Sequence, residues 1–285
     1  MSLSTVLFLF LAHLGVGIVF ALTLVSREAG VKFFRFNAGL ASVLLVIALA
    51  FGYDSAPDLA SLARTAPLGR ALEPGGTSTR ADLTLLLLST VAIVAYWATI
   101  GRMLTKIRPA ILGFSVVAGT LAIIVEALTL TMLRSLPTQV LTVASFLSSA
   151  ALLGGACTAM ILGHWYLVIP SMEVGHLQSI VKIHIASMVV RIAVVAAAVF
   201  VAIATWEPGA GPSFRYYITS VSGIFFWQRV LFGLAGPALL SYLTWETAKI
   251  RSTQSATGIL YVDFFTVVVG EVLAKYILLA TRVAV

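Results

Sequence analysis

The chain has 285 residues, of which 60% are apolar and only 10% are charged. A soluble domain typically carries about 25% charged residues, so this composition excludes a soluble domain as well as a disordered chain. The net charge of +7 comes from Lys and Arg residues scattered between apolar runs. That spacing is typical of loop charges in membrane proteins, and we expect no nucleic-acid partner.

Eight apolar stretches are long enough to cross a bilayer, which needs about 20 residues per helix. They are 4–25, 33–53, 83–104, 109–133, 138–163, 178–204, 222–247 and 257–281. The sequence therefore predicts an all-α fold: a polytopic bundle of about eight transmembrane helices that forms a single integral membrane domain over residues 1–285. The lipid bilayer is its first expected partner.

The loop charges predict the orientation of the helices. Lys and Arg residues are concentrated in every second connection, the members being Arg27, Lys32, Arg35, Arg102, Lys106, Arg108, Lys182, Lys249 and Arg251. Because Lys and Arg in short loops stay cytoplasmic, both termini are predicted to be extracytoplasmic. The segment 54–82, rich in Pro, Gly, Ala and Ser, is predicted to be an extracytoplasmic loop. We expect a multi-pass protein of the bacterial cytoplasmic (inner) membrane.

Small residues inside the spans predict close contacts between helices. The glycines concerned are Gly15, Gly17, Gly113, Gly119, Gly154 and Gly155. Glycine lets two helix backbones approach closely in a membrane, where packing rather than the hydrophobic effect holds helices together. The single cysteine, Cys157, excludes an intrachain disulfide or a cysteine-bound cluster, so a redox centre in this chain would need histidine or a diffusible quinone.

Ionisable side chains within the spans are the candidates for function, because each costs about 2.5–3.5 kcal/mol at the centre of a membrane helix. Five of them are expected in the outer half of the bundle when depth is counted at about 1.5 Å per residue. They are His13, Glu126, Arg229, Glu271 and Lys275. One imidazole, two carboxylates and two cations are suited to binding a quinol and accepting its protons. Ion pairing between helices is the alternative role for the same groups.

A second group is expected in the inner half: His164, His176, Lys182, His184 and Asp263. His164 and His184 are candidate ligands of a b-type haem, since two facing imidazoles are a common haem ligation. The alternative is a haem-free site in which His184 and Asp263 relay protons. Arg191, seven residues after His184, is grouped with that relay and is expected to be attracted to Asp263 or Glu271.

The last span resembles the final helix of the membrane anchors of dimethyl-sulfoxide-reductase-type enzymes. It contains the pairs Gly270-Glu271 and Lys275-Tyr276, and those anchors commonly carry a Gly-Glu pair followed by a basic residue and a tyrosine. The resemblance implies eight helices with both termini outside, exchange of electrons with menaquinol at the outer side, and a partner iron–sulfur subunit. His13 is in a first-helix position at which the related polysulfide-reductase-type anchors place a quinone-contacting histidine.

Two functions are compatible with this sequence. The first is a membrane subunit of an electron-transfer complex that exchanges electrons with menaquinone or ubiquinone near the outer face, with an iron–sulfur or cytochrome partner on that side. The second is a proton- or ion-coupled transporter in which the buried charges form the pathway. Asp-rich prenyltransferase motifs and a His-Glu-x-x-His zinc motif are absent from the sequence, and no catalytic residue is assigned.

Overall fold

In the computed structural model of the protein, each of the eight predicted spans coincides with a described helical segment that is long and apolar enough to cross a membrane. The structure describes residues 3–64, 78–101, 105–131, 134–168, 174–206 and 213–285. Its helices are α1 (Leu3–Leu22), α2 (Gly30–Arg64), α3 (Ser78–Thr99), α4 (Arg108–Thr131), α5 (Leu136–Val168), α6 (Val174–Ala204), α7 (Phe214–Thr219), α8 (Ile224–Val230), α9 (Gly236–Lys249) and α10 (Thr253–Thr281). The described residues contain no strand. The chain is a multi-pass membrane protein.

Helix α1 runs through the centre of the bundle. It packs against α2 and α5 and also touches α4 and α10, and most of its residues are buried. Helices α1, α3 and α5 begin, and α4, α6 and α10 end, at one end of the bundle. That end is called the α1 end below, and the sequence predicts it to be extracytoplasmic. Because α1 is surrounded by protein, a polar residue on it faces other helices rather than lipid.

Both ends of the segment 54–82, which was predicted to be a loop, are helical. Helix α2 continues through Arg64, and α3 already begins at Ser78. The apolar stretch ends near residue 53, so the predicted span ends there, but the helical backbone hydrogen bonds continue beyond it. Residues 65–77, the middle part of the predicted loop, lie outside the described residues, as does Arg102.

The predicted glycine contacts are strongest where α1 crosses α5. A Cβ atom added to Gly17 would lie 2.0 Å from the carbonyl oxygen of Ala150, and one added to Gly154 would lie 1.9 Å from the backbone of Gly17. The two backbones are therefore in direct contact. Gly113 is different: a Cβ atom there would meet nothing within 4 Å, so this glycine is not at a tight crossing.

The seventh span contains a local change of helix type and stays helical on both sides of it. After α8 the chain makes a π-helical segment, Leu231–Ala235, and α9 then begins with Pro237 in its first turn. Proline is tolerated in the first turn because its missing N–H has no partner in the helix there. Arg229, the next-to-last residue of α8, comes just before this segment, and both α8 and the segment contact α10.

Candidate functional site

Glu271 is the centre of a buried charge cluster near the α1 end. Its carboxylate is fully buried and binds side chains from three other helices. The guanidinium of Arg191 donates two hydrogen bonds to it, from Nε at 2.9 Å and from Nη2 at 3.1 Å. Arg229 donates a third through Nη2 at 2.9 Å. A two-pronged arginine–carboxylate pair is among the strongest polar contacts in proteins, so Glu271 fixes α6, α8 and α10 relative to one another.

Arg191 is fully hydrogen-bonded at this position. Besides Glu271, it donates to the carbonyl oxygen of Ser145 at 3.1 Å, to the Ser145 hydroxyl at 2.7 Å and to the carbonyl oxygen of Val285 at 3.0 Å. A buried arginine is tolerated in a membrane when its donors are satisfied in this way. The sequence grouped Arg191 with His184 and Asp263 and expected it to be attracted to Asp263 or Glu271; in the structure its partner is Glu271. The reason is depth: Arg191 lies two helical turns beyond His184, and Glu271 lies just over two turns beyond Asp263.

Ser149 on α5 connects Glu271 with two further groups. Its hydroxyl donates to Oε2 of Glu271 at 2.5 Å and accepts a hydrogen bond from Lys275 Nζ at 2.7 Å. Lys275 Nζ is also 3.7 Å from the Glu271 carboxylate, one helical turn away, and lies over the Phe146 ring. Three cations thus surround one carboxylate, and the cluster carries an excess of positive charge.

His13 extends the cluster towards α4. Its Nδ1 lies 3.3 Å from the Ser149 hydroxyl, and its Nε2 lies 3.8 Å from Oε2 of Glu126. Since the one hydroxyl proton of Ser149 is donated to Glu271, Nδ1 must carry the proton in the His13 contact. Nε2 is then the basic nitrogen, and it faces Glu126. Among the described residues, neither Nε2 of His13 nor Oε1 of Glu126 has a hydrogen-bond partner.

All five predicted quinone-site residues therefore come together, but they do not line an open pocket. Glu271, His13 and Arg229 have no exposed surface, and Lys275 and Glu126 have 2% and 4%. A ring of quinone size does not fit among them in this structure. What they form is a row of buried polar groups: Glu271, Ser149 and His13 in hydrogen-bond contact, and Glu126 3.8 Å from Nε2 of His13.

Arg229 makes fewer contacts than the other cations of the cluster. Within the part of the chain that the structure describes, its Nε and Nη1 atoms have no hydrogen-bond partner. The guanidinium lies beside the contact between Gly233 and Gly270, where a Cβ atom added to Gly233 would lie 2.1 Å from Nη1. Both glycines are needed there, because any side chain would collide with the arginine or with the opposite helix.

A cavity of about 530 Å³ opens at the α1 end next to this cluster. Its walls include Arg134, Trp206, Phe214, Tyr217 and Arg282. Burial raises the pKa of the Tyr217 hydroxyl, and burial together with the charge of Arg134 lowers the pKa of Arg282. The cavity thus combines aromatic rings with two cations.

The floor of the cavity is next to Arg191. Thr142 and Ala284 line it, and their near neighbours Ser145 and Val285 are the residues that hold the Arg191 guanidinium. The residues that hold Arg191 are thus neighbours in sequence of two residues of the cavity wall.

His184 and Asp263 form the predicted pair deeper in the bundle. His184 Nε2 lies 2.6 Å from Asp263 Oδ2, and both side chains are fully buried. This separation is that of an ion pair. The two groups are not aligned for a hydrogen bond, and among the described residues the nitrogens of His184 and the oxygens of Asp263 have no hydrogen-bond partner. Among the described residues, no hydrogen bond joins this pair to the Glu271 cluster, so the two groups are separate.

The other histidines have their own partners. His164 is exposed and its Nδ1 lies 3.0 Å from the Tyr261 hydroxyl, whereas His176 Nε2 contacts Glu28. A porphyrin needs open space beside each ligand, and His184 has no exposed surface. His164 and His184 each have another side chain beside them, and a haem bound by both stays a prediction. No group of three or more His, Cys, Asp or Glu side chains within the described ranges is arranged to hold a metal ion.

Several site residues were not predicted from the sequence. Ser145 and Ser149 hold the cluster together from α5, and Asp82, at the start of α3, is 4% exposed and close enough to Glu126 to interact with its charge. Asp82 was counted as a loop residue. Its position within one turn of the apolar run that begins at Leu83 was the available signal. Serines carry no such signal, since they are common in membrane helices.

No protein-family model matches the chain, and a comparison with curated proteins finds no significant relative. The roles of these residues are therefore inferred from their chemistry and geometry.

Proposed function

We propose that the chain is the membrane subunit of an electron-transfer complex, in which a quinol is oxidised at the α1 end and its protons pass through the buried cluster. The observation that carries this proposal is the buried row Glu271, Ser149, His13 and Glu126, with a 3.8 Å gap before Glu126, beside a cavity with aromatic and basic walls. Carboxylate, hydroxyl and imidazole groups within a few ångströms of one another are the usual means of moving protons through a membrane protein.

The cavity is the position we assign to the quinone ring. Trp206, Phe214 and Tyr217 offer flat surfaces for it, and the two arginines offer donors for its oxygens. Oxidation of one quinol gives a quinone, two electrons and two protons. The electrons pass to a partner iron–sulfur or cytochrome subunit at the same face of the membrane. The protons pass to the buried groups, where the imidazole of His13 relays them by taking a proton at one ring nitrogen as it releases one from the other.

The excess positive charge of the cluster supports this assignment. Arg191, Arg229 and Lys275 surround Glu271, and this favours a ligand that becomes anionic as it loses a proton. The proposal requires no haem, and no step of it passes through His164 or His184. If the α1 end is extracytoplasmic, the protons are released outside the bacterial cytoplasmic membrane.

Photolabelling tests where the quinone binds. The full chain in native-lipid membranes is illuminated with an azido derivative of menaquinone, and the labelled peptides are identified by mass spectrometry. We expect label in the cavity walls, 138–142 and 198–206, and loss of that label when unmodified menaquinone is in excess. Label confined to other segments would contradict the proposal.

A matched pair of variants on α6 makes the test specific. Ala202 lines the cavity, so Ala202→Trp fills it and should reduce labelling at least tenfold. Val190, on the same helix, is 53% exposed on the outside of the bundle, so Val190→Trp adds the same bulk towards lipid and should leave labelling unchanged. Equal labelling in both variants would show that the cavity is not the site.

A proton-coupled transporter is the second candidate, and the π-helical segment of the seventh span favours it. A π-helical segment followed by Pro237, next to the partly unpaired Arg229, resembles the discontinuous helices around which transporters bind substrates. Proteoliposomes containing a pH-sensitive dye distinguish the two functions. Proton flux driven by a membrane potential in the absence of quinol would favour the transporter, whereas no flux under these conditions is expected for the quinol-oxidising subunit.

A further inference from the structure

A groove of about 620 Å³ lies on the outside of the bundle between α2 and α3, at the end opposite to the α1 end. Its walls are mostly apolar and include Phe36, Leu40, Val43 and Val94. Phe36 and Val43 are each more than half exposed. An apolar groove on the lipid-facing surface of a membrane helix pair is suited to an acyl chain.

Two cations stand at one end of the groove. Lys32 and Arg35 both line it, three residues apart in the first two turns of α2. Among the described residues, neither has a carboxylate within ion-pair distance. Two unneutralised positive charges next to an apolar groove match a phosphate joined to acyl chains.

Trp97 forms the wall of the groove next to these charges. The Arg35 guanidinium lies 5.7 Å from the centre of the Trp97 ring, which orients the arginine at the mouth of the groove. A Cβ atom added to Gly39 would lie 2.9 Å from the indole nitrogen, so glycine makes room for this ring against α2. Tryptophan is enriched at the level of lipid headgroups, which places the groove's charged end at the membrane surface.

We infer that this groove binds an anionic phospholipid, with its phosphate at Lys32 and Arg35 and an acyl chain along Leu40, Val43 and Val94. A purely apolar molecule would leave the two charges without a partner, so it matches the groove less well than an anionic phospholipid does. A free phosphate ion would leave the open apolar walls uncovered. If the loop charges predict the orientation correctly, the groove faces the cytoplasmic leaflet, whose anionic lipids attract basic residues near the membrane surface.

Quenching of tryptophan fluorescence by brominated lipids tests the inference. The full chain is reconstituted in vesicles of dioleoylphosphatidylcholine that contain increasing fractions of either phosphatidylglycerol or phosphatidylcholine with dibrominated acyl chains. The contribution of Trp97 is the difference between the parent chain and its Trp97→Phe variant. We expect Trp97 to be quenched at a lower fraction of brominated phosphatidylglycerol than of brominated phosphatidylcholine, by tenfold or more.

A double variant shows whether the two cations cause this preference. Lys32→Gln with Arg35→Gln should abolish the preference, about fivefold for each cation removed. The control is Lys182→Gln with Lys249→Gln at the same end of the bundle, where both ammonium groups lie over Trp245 at 5.2 and 5.3 Å and Lys249 is already paired with Glu246. The control should leave the Trp97 signal unchanged.

Three results would overturn the inference. Equal quenching of Trp97 by the two brominated lipids would mean that the groove does not select an anionic headgroup. A preference that survives loss of both cations would mean that the phosphate binds elsewhere. Absence of quenching by either lipid would mean that a second copy of the chain or another protein covers the groove.

Discussion

Ser149 has a larger effect on the site than its chemistry alone suggests. One hydroxyl contacts Glu271, Lys275 and His13, three ionisable groups from two other helices. Each of these groups is buried, so each would lose a partner that water cannot replace. The single proton of the hydroxyl also determines which nitrogen of His13 is basic.

Replacing this hydroxyl should therefore destabilise the chain. Ser149→Ala leaves buried polar groups unpaired and is expected to lower the free energy of unfolding by about 1–3 kcal/mol. Thermal unfolding of the purified chain in detergent measures the change. Ser42→Ala is the control, because Ser42 is also buried but its hydroxyl donates to Ala38 of its own helix. An equal effect of the two substitutions would contradict the bridging role of Ser149.

At the scale of helices, the site depends on how closely α1 and α5 approach. His13 is on α1, and Ser145 and Ser149 are on α5, so their contacts need the two backbones to touch near Gly17 and Gly154. Cα–H groups and van der Waals contacts hold such crossings together in a membrane. A small outward shift of α1 would separate His13 from Ser149.

Gly17→Ala should produce that shift. Its Cβ atom would lie 2.0 Å from the Ala150 carbonyl oxygen, and a backbone atom cannot move aside as a side chain can. We expect a loss of about 3 kcal/mol in the free energy of unfolding.

Gly113→Ala is the matched control for this substitution. The added Cβ meets nothing within 4 Å, and alanine favours a helix over glycine, so a small gain in stability is expected. Measurement of both midpoints in the same detergent distinguishes the two. Equal midpoints for Gly17→Ala and the parent chain would mean that the crossing is not tight.

At the scale of the whole molecule, the sequence was sufficient for the architecture. Apolar runs of about 20 residues located all eight spans, because the bilayer imposes this length on any helix that crosses it. Their ends were less predictable, as the extension of α2 through Arg64 shows. The orientation of the termini is still a prediction from the loop charges.

The residues of the cluster could be predicted from the sequence, but the contacts between them could not. Counting residues along a helix gives depth, and depth alone brought His13, Glu126, Arg229, Glu271 and Lys275 to the same half of the bundle. It does not give the rotation of each helix, on which the bridging position of Ser149 depends. It also did not show that the cluster is closed and that the open space lies beside it.

The central claim is that the buried charges move protons during quinol oxidation, beyond holding helices together. Quinol-dependent electron transfer in membranes that contain the assembled complex tests it most directly. Glu271→Gln and His13→Ala should each lower the rate about 100-fold, the usual contribution of a proton-transferring group, with the subunit still assembled. Glu246→Gln, in the exposed pair with Lys249, should keep the parent rate. Unchanged rates in both cluster variants, with normal assembly, would contradict the account.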